Sequence, residues 1–145
     1  MVRAALVVED HPLVRRVTRA RLEQIGWSVS EAANAFEGKR VFRAVRPQLV
    51  VLDVIMPEES GLTSLDLLRT VHEESPGTVV NVVSSVVSAE DRDRFISEGA
   101  SSFFSKPFLN ADEFEKFMMQ SRILFDQLDE AAGISDSDKP TKNGS

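Results

Sequence analysis

Through the first 105 residues, short apolar runs alternate with stretches in which apolar residues recur every three or four positions. The runs are ALVVE (5–9), SVSEA (28–32), LVVLD (49–53), VVNVVS (79–84) and SFFS (102–105). A strand with one wet face alternates apolar and polar residues. LVVL does not alternate, which marks a strand covered on both faces, as in a parallel sheet. Helix-period stretches fall at about 12–25, 35–44, 61–74, 89–98 and 111–131. Strand and helix therefore alternate, and the pattern predicts an α/β fold with a five-stranded parallel sheet wrapped by five helices.

Several ends carry local signals. Pro12 suits a first helical turn, Gly26 a helix exit and Ser88 an N-cap, and Asn110 with Glu113 has capping-box spacing. In the last helix Phe114, Phe117, Met118, Leu124, Phe125 and Leu128 share a face that Ser121 interrupts. Its first half is expected to pack on the sheet and its second half, 123–132, to overhang as a dimer contact or the start of a linker. Residues 133–145 are polar with Pro and Gly and are expected to form a disordered tail or linker.

Composition narrows the class. A chain of 145 residues with 42% hydrophobic side chains suits one domain. Without cysteine there are no disulfides, no thiolate catalysis and no cysteine-based zinc site. A net charge of −6 argues against a phosphate-neutralising nucleic-acid surface. Arg15, Arg16, Arg19 and Arg21 run against that trend and read first as a solvated helix face, with Val14, Val17, Leu22 and Ile25 turned inward. No apolar run approaches the ~20 residues that cross a bilayer, and a cytoplasmic protein is expected.

In open parallel sheets ligands bind beyond the carboxyl ends of the strands, where strand order reverses. Here those ends carry Glu9 and Asp10, Asp53, Ser84 and Ser85, and Lys106 before Pro107. Three adjacent carboxylates repel one another unless a cation joins them. An all-oxygen set favours Mg2+, with Mn2+ as the alternative, over zinc. His11 is read as an exposed loop residue, His72 as a helix-surface residue, and Trp27 as packing at the start of strand two.

The motifs VVEDHP, VVLDVIMPEESGL, VVNVVSS and SSFFSKPF, in that order and spacing, resemble the response regulator receiver domain of two-component signalling, over roughly residues 3–122. The resemblance implies a flavodoxin-like three-layer sandwich of strand order 2-1-3-4-5. It implies Asp53 as the acceptor of a phosphoryl group from a sensor histidine kinase or histidine phosphotransfer protein. Met56, Pro57 and Gly61 match the loop that follows. Glu9, Asp10, Asp53 and the backbone carbonyl of Ile55 match the Mg2+ ligands, and Lys106 the phosphoryl partner. Ser84 matches the hydroxyl that moves toward the phosphoryl group, and Phe103 the aromatic that turns inward in response. The exposed side of the first long helix, with its four arginines, matches the kinase-docking face.

Departures from the pattern are also legible. Ile55 and Val86 are apolar where relatives often orient an attacking water, so slow self-dephosphorylation is expected. Phe103 lacks the hydroxyl of a tyrosine switch. A haloacid dehalogenase-type phosphatase would want a second Asp where Ile55 stands, and a dinucleotide-binding domain would want G-x-G-x-x-G where EDHPLV stands. A phosphate-independent interaction module is the remaining alternative. The expectation is thus a signalling module rather than an enzyme with an external substrate. It would act alone on a downstream effector or as a piece of a longer protein with an output domain, without direct nucleic-acid or membrane binding, and with a homodimer formed on activation.

Overall fold

Leu49–Asp53 is buried at every position, as a strand must be when it has neighbours on both edges and helices on both faces. The computed structural model describes residues 3–54, 61–84 and 88–105. Its strands are β1 (Ala4–Val8), β2 (Ser28–Ala32), β3 (Leu49–Asp53), β4 (Val79–Ser84) and β5 (Ser102–Ser105), all paired in parallel in the order β2-β1-β3-β4-β5. This is the flavodoxin-like arrangement expected from the motifs. The described helices are α1 (Pro12–Gln24), α2 (Ala35–Val45), α3 (Ser64–Glu74) and α4 (Ala89–Ser97). The helix expected at 111–131, its capping pair Asn110 and Glu113, and the tail at 133–145 lie outside the described residues.

Period-two alternation along the strands divides the core between the two faces of the sheet. Leu6, Val8, Val50, Leu52, Val80 and Val82 meet Phe42 of α2, Leu67, Leu68 and Val71 of α3, and Phe95 of α4. Ala5, Val7, Leu49, Val51, Val79 and Val83 form the other cluster, with Leu22 of α1 and, at its margin, Trp27. Asn81 is a polar residue in the middle of β4; it is fully buried and its Oδ1 accepts from Ser102 Oγ at 2.5 Å. Close packing leaves no room for a side chain at Gly38, where a Cβ would stand 2.9 Å from Leu67 and 3.2 Å from Val8.

Several boundaries differ from the sequence reading; α2 runs one residue further, to Val45, and α4 stops one residue earlier, at Ser97. β1 ends at Val8 rather than Glu9, although the Glu9 N–H still donates to the Ala32 carbonyl at 3.0 Å. α3 begins at Ser64 rather than residue 61, because Gly61 takes a left-handed φ of 74° and Thr63 and Asp66 close a reciprocal capping box. Ile25 does not turn inward; it is the C-cap of α1 and is 40% exposed. The helical progression that would have carried it to the core stops one residue earlier. Pro12 at the first turn of α1 and Ser88 as N-cap of α4 stand where the sequence puts them.

Candidate functional site

The register of the sheet sets the acids side by side. Val8 pairs with Leu52, so Glu9 and Asp53, the next residues along, leave neighbouring strands at the same level. Asp53 in turn pairs with Val83, which puts Ser84 one step further along β4. The point lies where strand order reverses between β1 and β3. Glu9 and Asp53 are each only 3% exposed, whereas Asp10 is exposed at the rim. One carboxylate oxygen from each of the three lies within 4.8 Å of the others.

Like charges at that separation, two of them buried, repel one another, and a cation among them offsets that repulsion. The donor set is wholly carboxylate oxygen, which fits a hard divalent ion such as Mg2+, and the exposed Asp10 side leaves room for its waters. Of the predicted ligands, the structure thus brings Glu9, Asp10 and Asp53 together. Ile55, Lys106, Met56, Pro57, Ser85 and Val86 lie outside the described residues.

Ser84 is buried at the end of β4, and its partner in β5 is Ser105. Two positions earlier in β5, Phe103 packs against the larger core cluster. Its ring lies edge-on to Phe95 of α4, with centroids 6.5 Å apart and planes at 65°. His11 is not among the clustered acids; it caps α1, its Nδ1 accepting from the Val14 N–H at 3.4 Å.

Two supports of the site escaped the sequence reading. Ser64, at the first turn of α3, is buried, and its hydroxyl reaches the carbonyls of Asp53 at 2.9 Å and Val54 at 3.1 Å. It thereby ties the chain leaving β3 to the next helix. The Thr63–Asp66 capping pair, which fixes Ser64 as the first helical residue, was the available signal.

The second support lies on the α1 face. Arg15 and Arg19 both turn to Glu31 of β2, with Arg15 Nε at 3.1 Å and Arg19 Nη1 at 2.7 Å. Arg15 Nη1 also donates to the Glu9 carbonyl at 2.8 Å. Burial alone would raise the Glu31 carboxyl, but the hydrogen bonds from Arg19 and Arg15 hold it below the ordinary glutamate range. Arg15 and Arg19, read as part of a solvated face, are therefore engaged within the domain.

A family model described as the response regulator receiver domain matches residues 5–118. The probable transcriptional regulatory protein TcrX of Mycobacterium tuberculosis is 33% identical over 119 residues, covering 82% of this chain and 48% of that protein. The probable C4-dicarboxylate response regulator DctR of Priestia megaterium is 31% identical over 105 residues, 71% of this chain and 45% of that one. The chain thus spans about half the length of these curated relatives. Among solved structures, a response regulator receiver domain protein (CheY-like) from Methanospirillum hungatei superposes with a TM-score of 0.78 at 25% identity, covering 90% of this chain and 99% of that chain.

Proposed function

The chain belongs to the response regulator receiver domain family, and on that premise we propose that it is a phosphoacceptor in a two-component phosphorelay, with Asp53 as the acceptor. The observation that carries this reading is the convergence of Glu9, Asp10 and Asp53 within 4.8 Å at the carboxyl ends of β1 and β3. The donor is the phosphohistidine of a sensor kinase or phosphotransfer protein. A carboxylate oxygen of Asp53 forms a P–O bond as the P–N bond breaks, and the electron pair of that bond stays on the imidazole. Glu9, Asp10 and Asp53, with the carbonyl of Ile55, would hold Mg2+, which when bound would offset charge on the phosphoryl oxygens. Lys106 pairs with those oxygens, and Ser84, at the end of the strand beside Asp53, donates its hydroxyl to them.

Acyl phosphate adds charge and acceptors at a buried point, so its formation biases the neighbouring surface. As Ser84 moves toward the phosphoryl group, Phe103 turns further inward from its present edge-on contact with Phe95, and the β4–β5–α4 surface changes shape. Apolar Ile55 and Val86 leave the acyl phosphate long-lived. The receiver unit is taken to run from 3 to 122, with 123–132 and 133–145 beyond it. Its output passes to a protein effector or a joined output domain, a role supported by relatives named as transcriptional regulatory proteins.

Intact mass after incubation with acetyl phosphate and Mg2+ tests the acceptor. One phosphoryl adduct is expected on the wild type, and none on Asp53→Asn or without metal. If the wild type takes up neither phosphoryl nor beryllofluoride, the proposal fails and a phosphate-independent interaction module replaces it.

A further inference from the structure

We propose that Arg15 is a positioning residue for the cation site, with Glu31 holding it in place; the inference rests on the metal-binding role proposed above for Glu9 and Asp10. Those two acids share one peptide unit. A peptide unit is planar, so fixing its carbonyl also fixes the direction in which the next residue departs. The Glu9 carbonyl accepts from Arg15 Nη1 at 2.8 Å, while the Glu9 N–H is spent on the Ala32 carbonyl at 3.0 Å. Both polar backbone groups of Glu9 are thus held, one by strand β2 and one by helix α1. The mount for two adjacent carboxylates cannot turn without breaking one of these bonds.

Arg15 is itself restrained. Its Nε donates to Glu31 Oε1 at 3.1 Å, and Arg19 takes Glu31 Oε2 at 2.7 Å, so the carboxylate is anchored at both oxygens. The Arg15 and Glu31 side chains are only 19% and 25% exposed. A rigid guanidinium fork can serve a carboxylate and a carbonyl at once, whereas the single ammonium of lysine on a flexible stem does so with less geometric restraint.

Charge and geometry act in opposite senses here. A guanidinium near a divalent cation repels it, so replacing Arg15 by a neutral residue would both relieve repulsion and release the peptide. Arg15→Lys keeps the charge and removes the fork, which isolates positioning. Glu31→Gln preserves the size of the anchor and loosens Arg15 from the other side; its charge effect is screened in high salt, and its positioning effect is not.

The experiment is a Mg2+ titration of the folded protein followed by backbone amide NMR, beside a urea unfolding curve for each variant. Arg15→Lys, and Glu31→Gln in high salt, are expected to bind Mg2+ about tenfold more weakly, the lower end of the cost of losing an outer partner of a metal ligand. Arg43→Lys, the same exchange in an ion cluster between α2 and α3, is expected to bind as the wild type does. Asp10→Asn should bind none. A merely structural Arg15 would move the urea midpoint and leave Mg2+ affinity intact. Wild-type affinity in both Arg15→Lys and Glu31→Gln, with Asp10→Asn still deficient, overturns the inference alone. A wild type that binds no Mg2+ overturns the cation site and the inference together.

Discussion

Two acidic clusters in this domain obey opposite rules. At the α2–α3 surface Glu74 receives Arg43 Nη2 at 2.6 Å and Arg46 Nη2 at 3.4 Å. Hydrogen bonding from Arg43 holds its carboxyl below the ordinary range, while Arg46 also lies 5.1 Å over the ring of Phe42. At the strand ends, by contrast, Glu9, Asp10 and Asp53 crowd like charge within 4.8 Å, with two of the three buried. A pair satisfied in water contributes little and can be exchanged cheaply. Buried like charges cost stability, and such a cost is tolerated where the crowding does chemistry.

Asp10→Asn should break that contrast most strongly. Without divalent cation it relieves repulsion, so unfolding should become harder by about 1 kcal/mol. The stabilisation that Mg2+ confers on the wild type should then vanish, and thermal melts with and without the ion measure both effects. A variant destabilised in both conditions would show that repulsion is not the governing term.

Ser64→Ala tests the frame around the crowded acids. It removes the buried donor to the carbonyls of Asp53 and Val54 and should cost about 1–2 kcal/mol in urea unfolding, with slower uptake of phosphoryl from acetyl phosphate. Unchanged uptake at lowered stability would reduce Ser64 to a helix-start residue.

The smallest effect compares Glu31 and Glu74, two of the glutamates held by arginine. The Glu31 carboxyl is lowered in the folded state, so the unfolded chain takes up its proton first as pH falls. The stability it contributes is fully present above the ordinary glutamate value of about 4.3 and is lost as pH drops through the lowered folded range. The urea-midpoint gap between wild type and Glu31→Gln should therefore shrink from pH 7 toward pH 3. Glu74→Gln should show a smaller gap, because its partners Arg43 and Arg46 are each 51% exposed where Arg15 is 19% exposed, and no change in Mg2+ response.

Much of this was legible along the chain. Unbroken apolar runs named the buried strands, and four of the five strands begin and end where the residues place them; β1 is displaced by one position. The residues at the ends of β1, β3 and β4 led to the acid cluster because parallel strands deliver their carboxyl ends to one edge. The misplacements arose where local backbone geometry overrides periodicity, as at Gly61 before α3 and at Ile25 after α1. Glu31 stayed hidden because nothing in its local context distinguishes it from any polar residue on an edge strand; the Thr63–Asp66 capping pair marks Ser64 as the first residue of α3 but says nothing of its reach to the Asp53 carbonyl.

What the sequence by itself determined is whatever depends on near neighbours: element types, caps, and which acids stand at strand ends. Only the tertiary structure decided the partners. That Arg15 turns to Glu31 and the Glu9 carbonyl follows from α1 lying across β1 and β2. Those contacts join residues brought together by packing, and a pattern read along the chain carries no term for the distance across a sheet.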